Sequence, residues 1–159
     1  MKIPVRDIEG RIQGLQVRLD NETERKYRWV SSTDMKDGTK AESFVHLAGK
    51  VQPCMLLTEG ALKAEIIHAL SGESVIAIAG VNSIKKLKET LVECKIRGLQ
   101  KINVAFDMDF VVNPNVAQAR KKLLALLDEM GIDNTTYIWN GKYKGLDDYI
   151  WKCKLQRQR

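Results

Sequence analysis

The sequence predicts an α/β domain: a mostly parallel sheet of about four strands flanked by helices, preceded by a small antiparallel β subdomain. Three observations predict it. From Val51 onward, short apolar runs alternate with stretches of helical periodicity, the β-α-β-α order that builds parallel sheets. The run at 74–79 is almost wholly apolar, as in a strand covered on both faces. Residues 1–50 behave differently: 11–20 alternate at period two after a turn at Ile8-Glu9-Gly10, which is a hairpin signature. The expected division is therefore a β-hairpin subdomain over 1–50 and an α/β core over 51–159.

In chain order, 3–7 and 11–20 form the hairpin and 27–32 a third strand, followed by a polar loop containing Gly38. In the core, 54–58 is a strand and 61–70 an amphipathic helix stopped by Ser71-Gly72. Residues 74–79 are the second strand. A helix over 84–96 can be capped by Ser83 and ends before Gly98. Residues 101–106 are the third strand. Asn113 or Asn115, around Pro114, can cap a helix that runs to Met130, and Gly131 stops it. Residues 135–139 form the fourth strand and 146–155 the last helix. This order implies right-handed crossovers.

The 159 residues suffice for one ordinary domain and a small appendage, and 44% hydrophobic with 29% charged residues excludes a disordered chain. The net charge of +6 suits a polyanionic partner, although solubility alone can account for it. Cys54, Cys94 and Cys153 are odd in number and widely spaced, which excludes a disulfide framework and a zinc ribbon. No stretch has the length of a membrane span and no signal-peptide core opens the chain, so a cytoplasmic location is expected.

Acidic residues recur at expected strand ends. Glu59 closes the first core strand, Asp107 and Asp109 the third, and Asp147 and Asp148 follow the fourth. In an open parallel sheet ligands bind at the carboxyl ends of the strands, so these carboxylates are candidates for one site. Asp107 and Asp109, at i and i+2, share a direction in an extended chain. Carboxylates brought together repel unless a cation joins them, and the hard cation that prefers oxygen is magnesium or manganese. Each group also has a structural explanation: a turn glutamate, loop aspartates, or helix-start aspartates that favour the dipole. Lys63 can reach a phosphate or pair with Glu59, and Lys144 can neutralise the aspartates. Arg28 and Trp29, with Tyr27 between arginines, suit single-stranded nucleic acid. Arg120 and Lys121 form a second basic cluster, and Lys85, Lys86 and Lys88 read as a solvated helix face. His46 and His68 are isolated from any metal-ligand partner.

In this order the motifs resemble the Toprim domain of bacterial-type primases, topoisomerases and some nucleases. Thr58-Glu59-Gly60-Ala61-Leu62-Lys63-Ala64 is similar to its first motif and Phe106-Asp107-Met108-Asp109 to its second. Ile3-Pro4-Val5-Arg6-Asp7, the segment from Tyr27 to Ser32, Ala79-Gly80, Asn113-Pro114-Asn115 and the segment from Gly145 to Tyr149 resemble the Toprim-like domains of phage, plasmid and mobile-element replication proteins. The resemblance implies magnesium- or manganese-dependent phosphoryl transfer on nucleic acid. Glu59, Asp107 and Asp109 would be catalytic, and these three with Asp147 and Asp148 would hold metal. Lys63, Lys144, Arg28, Trp29, Arg120 and Lys121 would bind phosphate or nucleic acid. Implied partners are DNA, as a single-stranded template, RNA, nucleotide triphosphates, and a helicase or zinc-binding module in this chain or another. The sequence shows neither a cysteine cluster nor a P-loop.

Priming, nicking and strand cleavage share this residue set, so the nuclease alternative stays open. So does a non-catalytic nucleic-acid-binding module. Asp107-Met108-Asp109 also resembles the nucleophile motif of haloacid-dehalogenase-type phosphatases, which would leave Glu59 without a role.

Overall fold

Two sheets organise the chain in the computed structural model, which describes residues 1–19, 26–79, 84–107 and 114–157. The first is a three-stranded antiparallel sheet of β1 (Lys2–Arg6), β2 (Ile12–Arg18) and β3 (Tyr27–Trp29). Asp7 shapes the β1–β2 turn: its Oδ1 accepts from the backbone N–H groups of Glu9 and Arg11, both at 2.9 Å.

The second sheet contains β4 (His46–Ala48), β5 (Cys54–Glu59), β6 (Val75–Ile78), β7 (Lys101–Val104) and β8 (Asp133–Thr136), in the order β4-β6-β5-β7-β8. All neighbours are parallel except β4, which runs antiparallel to β6. The helices are α1 (Ala61–Ser71), α2 (Ile84–Ile96), α3 (Pro114–Glu129) and α4 (Leu146–Arg157). The α/β class expected from the sequence is the class observed, with two differences. β4 lies in the segment expected to close the hairpin subdomain, yet it adds a fifth strand to the larger sheet. β8 begins two residues before its expected start and ends at Thr136, before the apolar Tyr137-Ile138-Trp139. As an edge strand it needs hydrogen bonds along one side more than apolar cover, and polar Asp133-Asn134-Thr135-Thr136 supplies them.

Alternation along β5 divides the core. Met55 and Leu57 face a cluster with Leu87 and Leu91 of α2 and Leu123 and Leu127 of α3. Leu56 faces the other side, with Ala64 and Ile67 of α1 and Leu146 of α4. Crossovers of one hand require this. The chain leaves β5 toward β6 through α1, then returns across the sheet through α2 and α3, so those helices cover the opposite face. The reversal puts the switch point between β5 and β7, whose carboxyl ends form the crevice where such sheets bind ligands.

The small sheet packs its Ile3 and Val5 on Ala61 and Leu62 of α1, with Trp29 and Phe44 at the margin. His46 ties the sheets together. Its buried Nδ1 accepts the Arg6 backbone N–H at 3.0 Å, which places the ring proton on Nε2, 3.2 Å from Glu65 Oε1 of α1. Burial, then the Arg6 charge, lower its pKa to about 4. Glu9 and Arg97 form a second tie, an exposed ion pair.

Candidate functional site

The crevice is assembled by hydrogen bonds that continue past the strand ends. Gly60 N–H donates to Ile78 O at 2.8 Å, Ala105 N–H to Leu57 O at 2.8 Å, and the Thr58 hydroxyl to Ala105 O at 3.0 Å. They hold the chain around Glu59 beside the chain leading to Asp107. Gly60 turns β5 into α1 with φ of 81° and ψ of 129°. A side chain there would meet no neighbour, so glycine is required by the backbone angle and not by space.

In the first turn of α1, Lys63 reaches across 44 positions of sequence to form an ion pair with Asp107 Oδ1. The Asp107 side chain is 13% exposed, and its second oxygen lies 4.0 Å from Lys144 Nζ. Lys144 is placed by the loop between β8 and α4. Within it, Trp139 Nε1–H donates to Tyr143 O at 2.9 Å and Lys142 N–H to Asn140 Oδ1 at 3.0 Å.

The next residue, Gly145, brings the second aspartate in. A β-carbon on Gly145 would collide with the Asp147 carboxylate and stand 3.7 Å from Asp107 Oδ1. Both carboxylates therefore crowd one small space that glycine leaves open. Asp147 Oδ1 is buried and has no hydrogen-bond partner among the described residues. Burial, then the adjacent Asp148 charge, raise the Asp147 pKa, while Lys63 and local backbone N–H groups lower it. Lys63 thus borders Glu59 in one cleft, pairs with Asp107 and acts electrostatically on Asp147.

The expected site residues divide as follows. Glu59, Lys63, Asp107, Lys144 and Asp147 meet at the crevice. Asp148 is exposed and acts there as a like charge on its neighbour. Asp109 lies outside the described residues, as do Gly80, Ser83 and Asn113. Among the described residues no three metal-ligating side chains form a cluster. An orphaned buried carboxylate oxygen beside a second carboxylate is nevertheless what a hard cation satisfies, so Asp107 and Asp147 fit a magnesium or manganese ion.

The basic candidates lie elsewhere. Trp29 packs edge-on against Phe44, with ring centroids 5.6 Å apart, and Arg28 projects from the opposite face of the small sheet. Arg120 donates to the Thr136 hydroxyl at the carboxyl end of β8, and Lys121 is exposed on α3. Lys86 pairs with Glu42 at 2.8 Å and Lys88 with Glu129 at 2.9 Å, so both serve the surface of the fold. The space-making role of Gly145 had no sequence signal beyond the Gly-Leu-Asp-Asp string.

A cleft of about 240 Å³ opens beside this group, between the small sheet and the start of α1. Glu59, Gly60, Leu62 and Lys63 line one side, and Gln16 and Tyr27 the other.

A family model for a domain of unknown function, DUF3854, matches residues 46–156. The chain belongs to the DUF3854 family. The match begins at β4, the strand that joins the larger sheet. No curated protein sequence matches the chain. Among solved structures, the zinc-binding and RNA polymerase domains of the Aquifex aeolicus primase are similar to this DUF3854 chain with a TM-score of 0.67 and 18% identity, over 98% of this chain and 38% of that one. The primase fragment of the bacteriophage T7 primase-helicase protein matches with a TM-score of 0.59 and 16% identity, over 98% of this chain and 58% of that one. A DnaG primase catalytic domain bound to single-stranded DNA matches at 0.63 and 16%, over 95% of this chain and 48% of that one. The chain thus spans from about two fifths to under three fifths of the length of these solved chains. The fold is that of primase catalytic domains, and at these identities the likeness concerns the fold and not the chemistry. Among the described residues no helix is long and apolar enough to cross a membrane.

Proposed function

We propose that this chain is the Toprim-like part of a primase-type replication protein and transfers nucleotidyl groups on nucleic acid. The observation that carries the reading is the meeting of Lys63, Asp107 and Asp147 beside Glu59 at the switch point of the sheet. Two buried or half-buried carboxylates crowded onto one glycine, with two lysines turned on them, make a poor structural device and a good phosphate-handling one.

Asp107 and Asp147, with Asp109 and Glu59 as further candidates, would hold magnesium or manganese, which supplies charge neutralisation at the phosphate and a lowered pKa for the attacking hydroxyl. Lys63 and Lys144 balance carboxylate charge at the crevice and phosphate charge when a nucleotide enters. Glu59, which lines the cleft, takes the proton from the attacking hydroxyl. Single-stranded DNA is the proposed template, and the net charge of +6 favours its approach.

The test is oligonucleotide synthesis on single-stranded DNA with nucleotide triphosphates and magnesium or manganese, beside Asp107→Asn/Asp109→Asn. Synthesis that the double variant loses supports the reading. Metal-dependent strand cleavage without synthesis replaces it with the nuclease. Salt-sensitive DNA binding with no turnover in either protein, in the presence of a supplied helicase and zinc-binding module, replaces it with a binding module. Glu59→Gln is expected to abolish turnover and keep DNA affinity within about twofold, since it removes one proton acceptor and no phosphate contact.

A further inference from the structure

The cleft beside Glu59 and Lys63 holds two residues that the phosphate chemistry does not use, Gln16 and Tyr27. Strand register explains how they come there. Gln16 on β2 stands opposite Ile3 of β1 and Trp29 of β3. Ile3 and Trp29 pack toward α1, so Gln16 shares their face, and Tyr27, two residues before Trp29, shares it too. The small sheet therefore presents an amide and a phenol ring across the cleft from the start of α1.

Gln16 is an unusual choice for this position. It is 6% exposed, in a row otherwise filled by Ile3, Val5 and Trp29, where an apolar side chain of its size would pack without desolvating an amide. Among the described residues no hydrogen bond of that amide is found, and it lines the cleft. Tyr27 is 46% exposed, so its ring offers an open surface beside the Gln16 amide that lines the cleft. A ring to stack on and an amide with both donors and an acceptor is the combination that reads a nucleobase. The cleft, at about 240 Å³, falls below the roughly 300–1,000 Å³ that encloses a drug-sized ligand. It suits one base or sugar, with phosphates lying outside on Lys63.

We infer that Gln16 and Tyr27 form a nucleoside subsite, in which Tyr27 stacks on a base and Gln16 hydrogen-bonds its edge while Lys63 holds the attached phosphate. This rests on the reading of Lys63 and its carboxylates as a phosphate site. The nucleoside can belong to a free nucleoside triphosphate or to a residue of a single strand.

The test compares, by calorimetry with magnesium, the binding of the four nucleoside triphosphates, inorganic tripolyphosphate and a short single-stranded oligonucleotide. The proteins are wild type, Tyr27→Ala, which truncates an exposed ring, and Gln16→Leu, which keeps the volume. A nucleoside triphosphate is expected to bind about tenfold more tightly than tripolyphosphate, as one stacked base allows. Tyr27→Ala removes that advantage and leaves tripolyphosphate unchanged, and Gln16→Leu levels the preference among the four bases. Loss confined to the oligonucleotide assigns the subsite to the strand and not to the free nucleotide. Equal binding of triphosphate and tripolyphosphate, with neither variant altering any ligand, overturns the subsite and spares the phosphate site. Binding of no phosphate ligand at all overturns both.

Discussion

Replacing Asp147 with Asn should stabilise the protein while weakening its hold on a divalent cation. The Asp147 carboxylate is half-buried, its Oδ1 has no hydrogen-bond partner among the described residues, and burial together with Asp148 raises its pKa. An unsatisfied buried polar group costs roughly 1–3 kcal/mol. Asparagine keeps a polar atom at that position but removes its charge; Lys63 already offsets part of that charge, so the lower end applies, and Asp147→Asn should gain about 1 kcal/mol. For a chain of this size that is roughly 2–4 °C in Tm. The pH dependence has a definite sign. A carboxyl whose folded pKa lies above its unfolded value binds more protons in the native state, so the wild type gains stability as pH falls from neutral through that raised value. The variant lacks this gain, and the two Tm curves should converge on acidification. Added magnesium or manganese at tenfold its dissociation constant should stabilise the wild type by about 1.4 kcal/mol and the variant by much less. Circular-dichroism melts from pH 4 to 8, with and without cation, measure all three effects. A variant with unchanged or lower Tm at neutral pH and an undiminished response to cation would refute the reasoning.

Two further expectations concern the frame around the crevice. Gly60→Ala places a side chain on a backbone with φ of 81°, at a cost of about 1–3 kcal/mol, and should reduce turnover by re-aiming Glu59 and Lys63; denaturant midpoints and activity measured on one preparation check both. His46, with a pKa lowered from 6.5 to about 4, stays neutral in the folded protein while the unfolded chain gains a proton, so stability should fall as pH drops from 6.5 toward 4. The shift corresponds to at most about 3 kcal/mol, reduced by the nearby Glu65 carboxylate. Urea titrations should show that loss in the wild type and a flatter profile in His46→Gln; parallel profiles would remove His46 from the account.

The sequence by itself determined the alternation of strand and helix from β5 onward and the acidic residues near the strand ends. Apolar runs such as 54–58 and 74–79, bounded by turn residues, read as covered strands, and Glu59 ends one strand while Asp107 lies three residues beyond another. It could not show β4, because Val45 to Ala48 is too short to display a period and is bounded by a polar loop and Gly49. It misjudged β8, because an edge strand is selected by backbone pairing and not by apolar content. Nor could it choose between Asp147 and Asp148, which are equivalent as helix-start residues; only the crowding at Gly145 turns one inward and leaves the other exposed. The partner of Lys63 was open for the same reason. Glu59 is its neighbour in sequence, but the parallel pairing of β5 and β7 delivers Asp107 to the first turn of α1. Gln16 comes to line the cleft, and His46 meets Arg6 and Glu65, only when the small sheet docks on α1 and β4. Local pattern is written along the chain by the periods of helix and strand. Which charges meet is decided by the crossover that reverses between β5 and β7, and no local period encodes it.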